Sequence, residues 1–234
     1  MSTQTRTNAE PRIPLSKDRV LQAAIVLADE GGIESLTMRK LAKELGVEAM
    51  SLYYHVANKD EILDGMVDVV FGEIDLPSGE INWKTAMRER AISTRKVLSL
   101  HPWATSMMQS RTNPGPALLR HHNWVIGTLR ESGFSIELTA HAFSAMDAYI
   151  YGFSLQEETL PFDTAEEVAA IVKAFLEHFP VDEYPYLAEL SVEHIMKPGY
   201  DYGDEFDFGL ELTLDGLERA QSESEPTTPK VLPI

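Results

Sequence analysis

The 234-residue chain contains no cysteine. Disulfide cross-links and thiolate metal sites are therefore excluded. The absence suits a reducing compartment, so a cytoplasmic location is expected. No apolar run reaches the ~18 residues that a bilayer-spanning helix needs, so no membrane partner is expected. The opening residues, MSTQTRTNAEPRIP, are polar and lack the apolar centre of a secretion signal. Sustained two-residue alternation, the mark of a half-buried strand, is missing throughout. A phosphate-binding loop, a nucleophile elbow and a spaced set of metal ligands are missing as well.

Basic charge is also scarce. The formal net charge is −17, whereas a surface that binds duplex DNA needs a positive footprint. The acid is unevenly spread, however. Residues 1–65 carry 8 Lys and Arg against 10 Asp and Glu, and the remainder carries 12 against 27. The amino-terminal quarter is thus close to neutral, and the acidic remainder suppresses non-specific attraction to phosphates, leaving a local patch to set orientation.

Helical periodicity fills most of the chain. Residues 1–14, with Pro11 and Pro14, read as a flexible arm; whether Arg6 or Arg12 adds a minor-groove contact is left open. Ser16 is placed to cap a helix on which Val20, Ala23, Ala24, Leu27 and Ala28 recur, and Gly31-Gly32 ends it. Thr37 caps a second helix bearing Leu41, Ala42 and Leu45; Gly46 supplies a tight turn; and a short third helix covers about 48–54. Asn58-Lys59-Asp60-Glu61 resembles a capping box ahead of a fourth helix running to about 75. Further helices are expected near 82–100, 116–132, 135–157, 164–179 and 205–221, with breaks at Pro102, 113–116, Gly133, Pro161, Pro180 and Pro198-Gly199. The Pro/Ser/Thr-rich end, 222–234, reads as a disordered tail.

Two short helices joined at a glycine and flanked by longer ones form a helix-turn-helix, whose second helix enters the major groove. Val47, Leu52 and Val56 are expected to face inward, leaving Ala49, Met50, Ser51, Tyr54 and His55 outward. Small residues allow close approach, Met50 suits a thymine methyl, Ser51 bonds bases or phosphates, and Arg39 reaches a guanine edge. Tyr53 and His55 donate to phosphates, as does Lys59 at the start of the fourth helix.

The run Leu36 to Val47, then Ser51-Leu52-Tyr53-Tyr54-His55-Val56, then Asn58-Lys59 and Leu63, resembles the TetR family, and its tetracycline-repressor branch in particular. The resemblance implies that Thr37, Arg39, Ser51, Tyr53, Tyr54, His55 and Lys59 lie at a DNA surface. Ala49-Met50 replaces the branch's common Gln-Pro, so its operator sequence does not carry over. Gly133-Phe134-Ser135 and Phe208-Gly209-Leu210-Glu211-Leu212 resemble that branch's regulatory domain. They imply a homodimer formed by helices near 135–157 and 205–221, with Phe143, Met146, Ile150, Phe153, Leu210, Leu214 and Leu217 as apolar stripes; the same stripes are equally those of an intrachain core.

The expected class is therefore all-α: an N-terminal three-helix helix-turn-helix domain (15–65), then a larger helical ligand-binding and dimerisation domain (66–221). A small, largely apolar effector is expected between the helices near 62–75, 82–112, 117–130 and 139–151. Trp103, Met107, Met108, Trp124, Phe143 and Tyr149 would line its cavity; His101, Arg111, His121, Asn123 and Asp147 are candidate polar anchors. Met108 stands where the tetracycline branch has a metal-linked histidine, and a thioether is a poor magnesium ligand. No metal or cofactor is expected. His141 with Asp147, or His194 with Glu193, would be the acid–base groups of an enzyme, but no accompanying motif supports one. The expected function is a ligand-responsive repressor released from a palindromic operator.

Overall fold

The structure is a computed structural model that describes residues 14–223 apart from 80, 112 and 163. The expected arm up to Ile13 and the expected tail from Ser224 lie outside the described residues. Among the described residues, regular structure is entirely helical.

Local signals fix the first four helices. The Ser16 hydroxyl accepts from the Arg19 N–H at the start of α1 (Lys17–Gly31). Gly32, at φ 74°, ends that helix in a conformation that favours glycine. Thr37 caps α2 (Met38–Glu44) through the Lys40 N–H, and Gly46 (φ 66°) turns the chain into α3 (Ala49–Leu52). This third helix is shorter than expected. Tyr53 to His55 continue as hydrogen-bonded turns, with His55 N–H donating to the Leu52 carbonyl. Asn58 caps α4 (Lys59–Glu73) by accepting from the Glu61 N–H, while the Glu61 carboxylate reaches back to the Ala57 N–H, one residue earlier than a strict capping box.

The body comprises α5 (Trp83–Leu100), α6 (Pro102–Ser110), α7 (Pro116–Glu131), α8 (Ile136–Glu158), α9 (Ala165–Leu176), α10 (Pro185–Leu190) and α11 (Gly203–Glu223). The sequence reading had no separate helix at α6 and none at α10. Both begin with proline at their first residue. There the missing N–H has no intrahelical partner to lose, so proline starts a helix as readily as it ends one. A single π-turn (Ser191–Ile195) follows α10.

One apolar core runs through the whole assembly. Val20, Ala24 and Ile25 of α1 meet Ile62, Met66, Val67 and Val70 of α4, and the same cluster continues into Met87, Leu98, Val125, Leu129, Met146, Ile150, Phe206 and Leu214. α1 and α4 cross closely at Gly65, where an added Cβ would stand 2.8 Å from the Leu21 methyl carbons. On the far side, Phe153 stacks on Tyr202 and meets Phe206, with the Arg95 guanidinium over both Phe153 and Phe206.

Candidate DNA-binding surface and effector core

The recognition turn divides cleanly into inner and outer residues. Leu52 and Val56 are buried and Val47 is half-buried, as the periodicity requires. Met50 is 72% exposed and Tyr54 88%, with Tyr53 at 47%. Thr37, Arg39 and Lys59 are exposed, and Ser51 and His55 are half-buried. Ala49 departs from the expected outward set: it is half-buried and packs on the core, because α3 is a single turn seated on α2. The turn therefore projects a patch of hydroxyls, one thioether and cations, a suitable set for phosphates and base edges.

α4 ties this surface to the body through a row of carboxylates. Asp64 accepts from Arg111 Nε (2.5 Å) and Asn113 (3.2 Å), and Asp60 also receives Arg111. Asp68 accepts the backbone N–H groups of Ala117 and Leu118 at 2.8 and 2.9 Å, capping α7 from another helix. Gly115 permits that cap, since a Cβ there would fall 2.4 Å from an Asp68 oxygen. At the other end of α4, Glu73 meets His101 Nε2 at 3.0 Å, while His101 Nδ1 meets Asp29 of α1 at 2.9 Å. The Trp103 indole donates to the same Asp29 oxygen (2.7 Å). Burial disfavours the imidazolium most, yet the hydrogen bonds to Asp29 and Glu73 overcome it and raise the His101 pKa.

Of the residues read as ligand contacts, the structure draws only some together. His101, Trp103 and Arg111 serve the joints just described. Tyr149 donates its hydroxyl to the Phe206 carbonyl of α11 (2.8 Å), and Asn123 is exposed on α7. The remaining residues lie in or against the body core, and contacts join His121, Asp147 and Phe143 through Arg90 and His122. His121 is fully buried, Met108 is buried, and Met107, Trp124 and Phe143 are partly buried against the same core. Asp147 pairs at 2.5 Å with Arg90 Nη2, and Arg90 Nε donates to His121 Nε2 at 3.1 Å. The sequence reading missed Arg90, which is wholly buried. Its signal was register: Trp83, Met87, Arg90, Thr94 and Val97 share the inner face of α5. His122 lies edge-on to Phe143 (5.2 Å) and Phe71 (6.0 Å). Burial, then the Arg90 charge, then His122, push the His121 pKa down to about 3.

The expected interface stripes resolve differently. Met146, Ile150, Phe153, Leu210, Leu214 and Leu217 are buried within the chain, and Phe143 is half-buried. The exposed large apolar residues on those two helices are Ile136 and Leu155 on α8 and Phe208 and Leu212 on α11. Among the described residues, no three His, Asp or Glu side chains are grouped to hold a metal ion, and Met108 offers only a buried thioether. No helix of the described residues is long and apolar enough to cross a membrane.

Comparison with known proteins agrees with this architecture. Residues 20–66 match the family model "Bacterial regulatory proteins, tetR family", and residues 76–221 match "Tetracyclin repressor-like, C-terminal domain". The HTH-type transcriptional repressor DrrR1 of Streptomyces coeruleorubidus is 33% identical over 225 residues, 92% of this chain and 82% of that protein. The class D tetracycline repressor of Escherichia coli is 31% identical over 147 residues, 62% of this chain and 67% of the repressor. Among solved structures, the Streptomyces coelicolor TetR family protein ActR in complex with actinorhodin superimposes with a TM-score of 0.74 at 28% identity. The match covers 90% of this chain and 100% of ActR. With both halves matched in order, a helix-turn-helix surface at one end and a helical regulatory body at the other, the chain belongs to the TetR family of ligand-responsive, non-enzymatic DNA-binding transcription regulators, which act as dimers.

Proposed function

We propose that this protein is a cytoplasmic repressor whose dimer grips a palindromic operator and releases it when a small, largely apolar effector enters the body core. Thr37, Arg39, Met50, Ser51, Tyr53, Tyr54, His55 and Lys59 make the DNA surface, with base edges read by Arg39, Met50 and Ser51. The protein divides functionally into a DNA-binding unit (15–65) and a regulatory unit (66–221). α8 and α11 pair with their copies through Phe208, Leu212, Ile136 and Leu155, which are exposed and apolar. Pairing is what specificity requires, since one short turn reads few bases and a two-fold partner adds a half-site about one DNA turn (~34 Å) away.

The observation that carries the reading is the dual attachment of α4. Its first residue, Lys59, is exposed just after the recognition turn, and its carboxylates join Arg111, the α7 amino end and His101. An effector that reshapes the packing of α5, α7 and α8 would tilt α4 and change the spacing of the two recognition turns. The coupling must be reciprocal, so DNA weakens effector binding by the factor by which effector weakens DNA binding.

The test is binding of the purified protein to the DNA upstream of its own coding sequence, across a salt series and against an unrelated competitor fragment. Tight, salt-sensitive and selective binding is expected. Binding no better than to the competitor, followed by failure of selection from genomic fragments, would overturn the proposal.

A further inference from the structure

His101 lies between the end of α5 (Leu100) and the start of α6 (Pro102), and its side chain is 10% exposed. Its two ring nitrogens meet carboxylates from two different helices. Nδ1 is 2.9 Å from Asp29 Oδ1, in the last turn of α1, and Nε2 is 3.0 Å from Glu73 Oε2, at the last residue of α4. The Trp103 indole N–H donates to the same Asp29 oxygen. A carboxylate offers only lone pairs, so each ring nitrogen must bring a proton. Neutral imidazole carries one N–H and the imidazolium carries two. The arrangement is therefore complete only in the protonated form. Removal of one proton leaves a ring lone pair facing a carboxylate oxygen.

The surroundings favour that protonated form. Asp29 and Glu73 are the charged groups bonded to the ring, and α6 adds the uncharged Trp103 ring at 6.2 Å. Glu34, after α1, and Glu158 of α8 border the hollow beside Asp29 and Trp103 without bonding the imidazole. Burial works against the imidazolium, but the two hydrogen bonds prevail and hold the His101 pKa above its ordinary value of 6.5. What these bonds join is the DNA-binding unit to the body. Asp29 stands just ahead of the turn into α2, whereas His101 belongs to the corner of two body helices. At the opposite end of α1 and α4, Lys17 and Glu61 form an ion pair between exposed side chains, which water weakens.

Resting on the operator reading above, we propose that His101 is a proton-operated clasp: as the imidazolium it ties α1 and α4 to the α5–α6 corner, and loss of its proton frees one of the two helices and weakens operator binding. The sign follows from preorganisation. A recognition unit held in one orientation loses less freedom on binding than one that rocks.

The test is the affinity of the full-length protein for the DNA upstream of its own coding sequence, from about pH 6 to about pH 9 at fixed salt. Native protein is expected to lose about 5-fold in affinity across that range. E73Q is expected to stay nearly level, because a neutral ring donates to Asp29 and accepts from the glutamine amide, so both bonds survive without the extra proton. H101Q is expected to be level and weak, with the native protein approaching it at the alkaline end. NMR of the His101 ring nitrogens over the same series reads the proton without DNA, and both nitrogens are expected to be protonated at about pH 6.5. A native pH course shared by E73Q or by H101Q would overturn the clasp, as would a ring with a single protonated nitrogen at that pH. Selective DNA binding at no pH would overturn the operator reading and the DNA consequence proposed here, while the ring nitrogens still decide whether protonation closes the joint.

Discussion

Arg39 and Arg90 are the same side chain in two opposite settings. Arg39 stands exposed on α2 beside a turn whose Tyr54 is 88% exposed. Arg90 is wholly buried, held by Asp147 and His121. At the surface a guanidinium keeps its hydration and its charge until a phosphate or guanine edge replaces the water, so little structure is needed to support it. In the core the same group must be answered by other parts of the chain, and whatever it lacks is a standing cost. The first setting makes a contact residue replaceable with small effect on folding; the second ties the stability of the body to one group.

That contrast can be broken most forcefully from inside. R90M should destabilise the protein by about 3 kcal/mol, because it strands Asp147 as a partly buried unpaired charge, and R90M/D147L should recover much of the loss; urea unfolding of the two variants measures both. From outside, Y54A/K59A should leave unfolding unchanged within ~0.5 kcal/mol. It should weaken operator binding by roughly 2–3 kcal/mol and flatten the dependence of log affinity on log salt by about 1. Normal operator affinity in that variant would remove both residues from the DNA surface.

A smaller effect belongs to the joint between the regions. G115A would push a Cβ into Asp68 and displace the cap of α7. A loss of about 1 kcal/mol is expected, together with a weaker response of operator binding to effector, read by repeating the DNA titration with ligand present. The smallest effect is a pH dependence. His101 has its pKa raised in the folded state by Asp29 and Glu73. Its contribution is therefore fully present below the unfolded value of about 6.5 and is lost as pH rises through the folded value. Unfolding curves between pH 5.5 and 9 should show native protein and H101Q converging at the alkaline end. A constant gap across that range would show that His101 does not hold its two carboxylates as an imidazolium.

The same two settings explain what the sequence disclosed. The helix-turn-helix was legible because its signals are local: Ser16, Thr37 and Asn58 each cap within three residues, and Gly46 turns where no side chain is needed. Ala49 was misread because a one-turn helix has too few residues for periodicity to decide its face. The body's helices are mostly legible, but a proline in the sequence reads as a break, whereas Pro102 and Pro185 each begin a helix. The buried polar cluster of the body was hardest. In Met87-Arg88-Glu89-Arg90 nothing in composition distinguishes the buried arginine from the partly exposed one, which pairs with Glu211. His101 and Trp103 looked like lining residues because aromatic and imidazole side chains serve joints and cavities equally well. The partners separate the two uses: Asp29, 72 and 74 positions away, for both, and Glu73 as well for His101.

Asp60, Asp64 and Asp68 follow one another at four-residue intervals along α4, and each accepts a bond from the segment between Arg111 and Leu118. A helix rises about 1.5 Å per residue, so a slide of even one residue would put every carboxylate out of reach of its donor at once. A tilt or roll about the row keeps some bonds while it strains others. The row therefore acts as a detent: it makes axial creep of the helix expensive and leaves rotation as the cheap degree of freedom. Signalling along α4 should accordingly come in steps, set by which carboxylates are engaged, rather than as a displacement graded with ligand size.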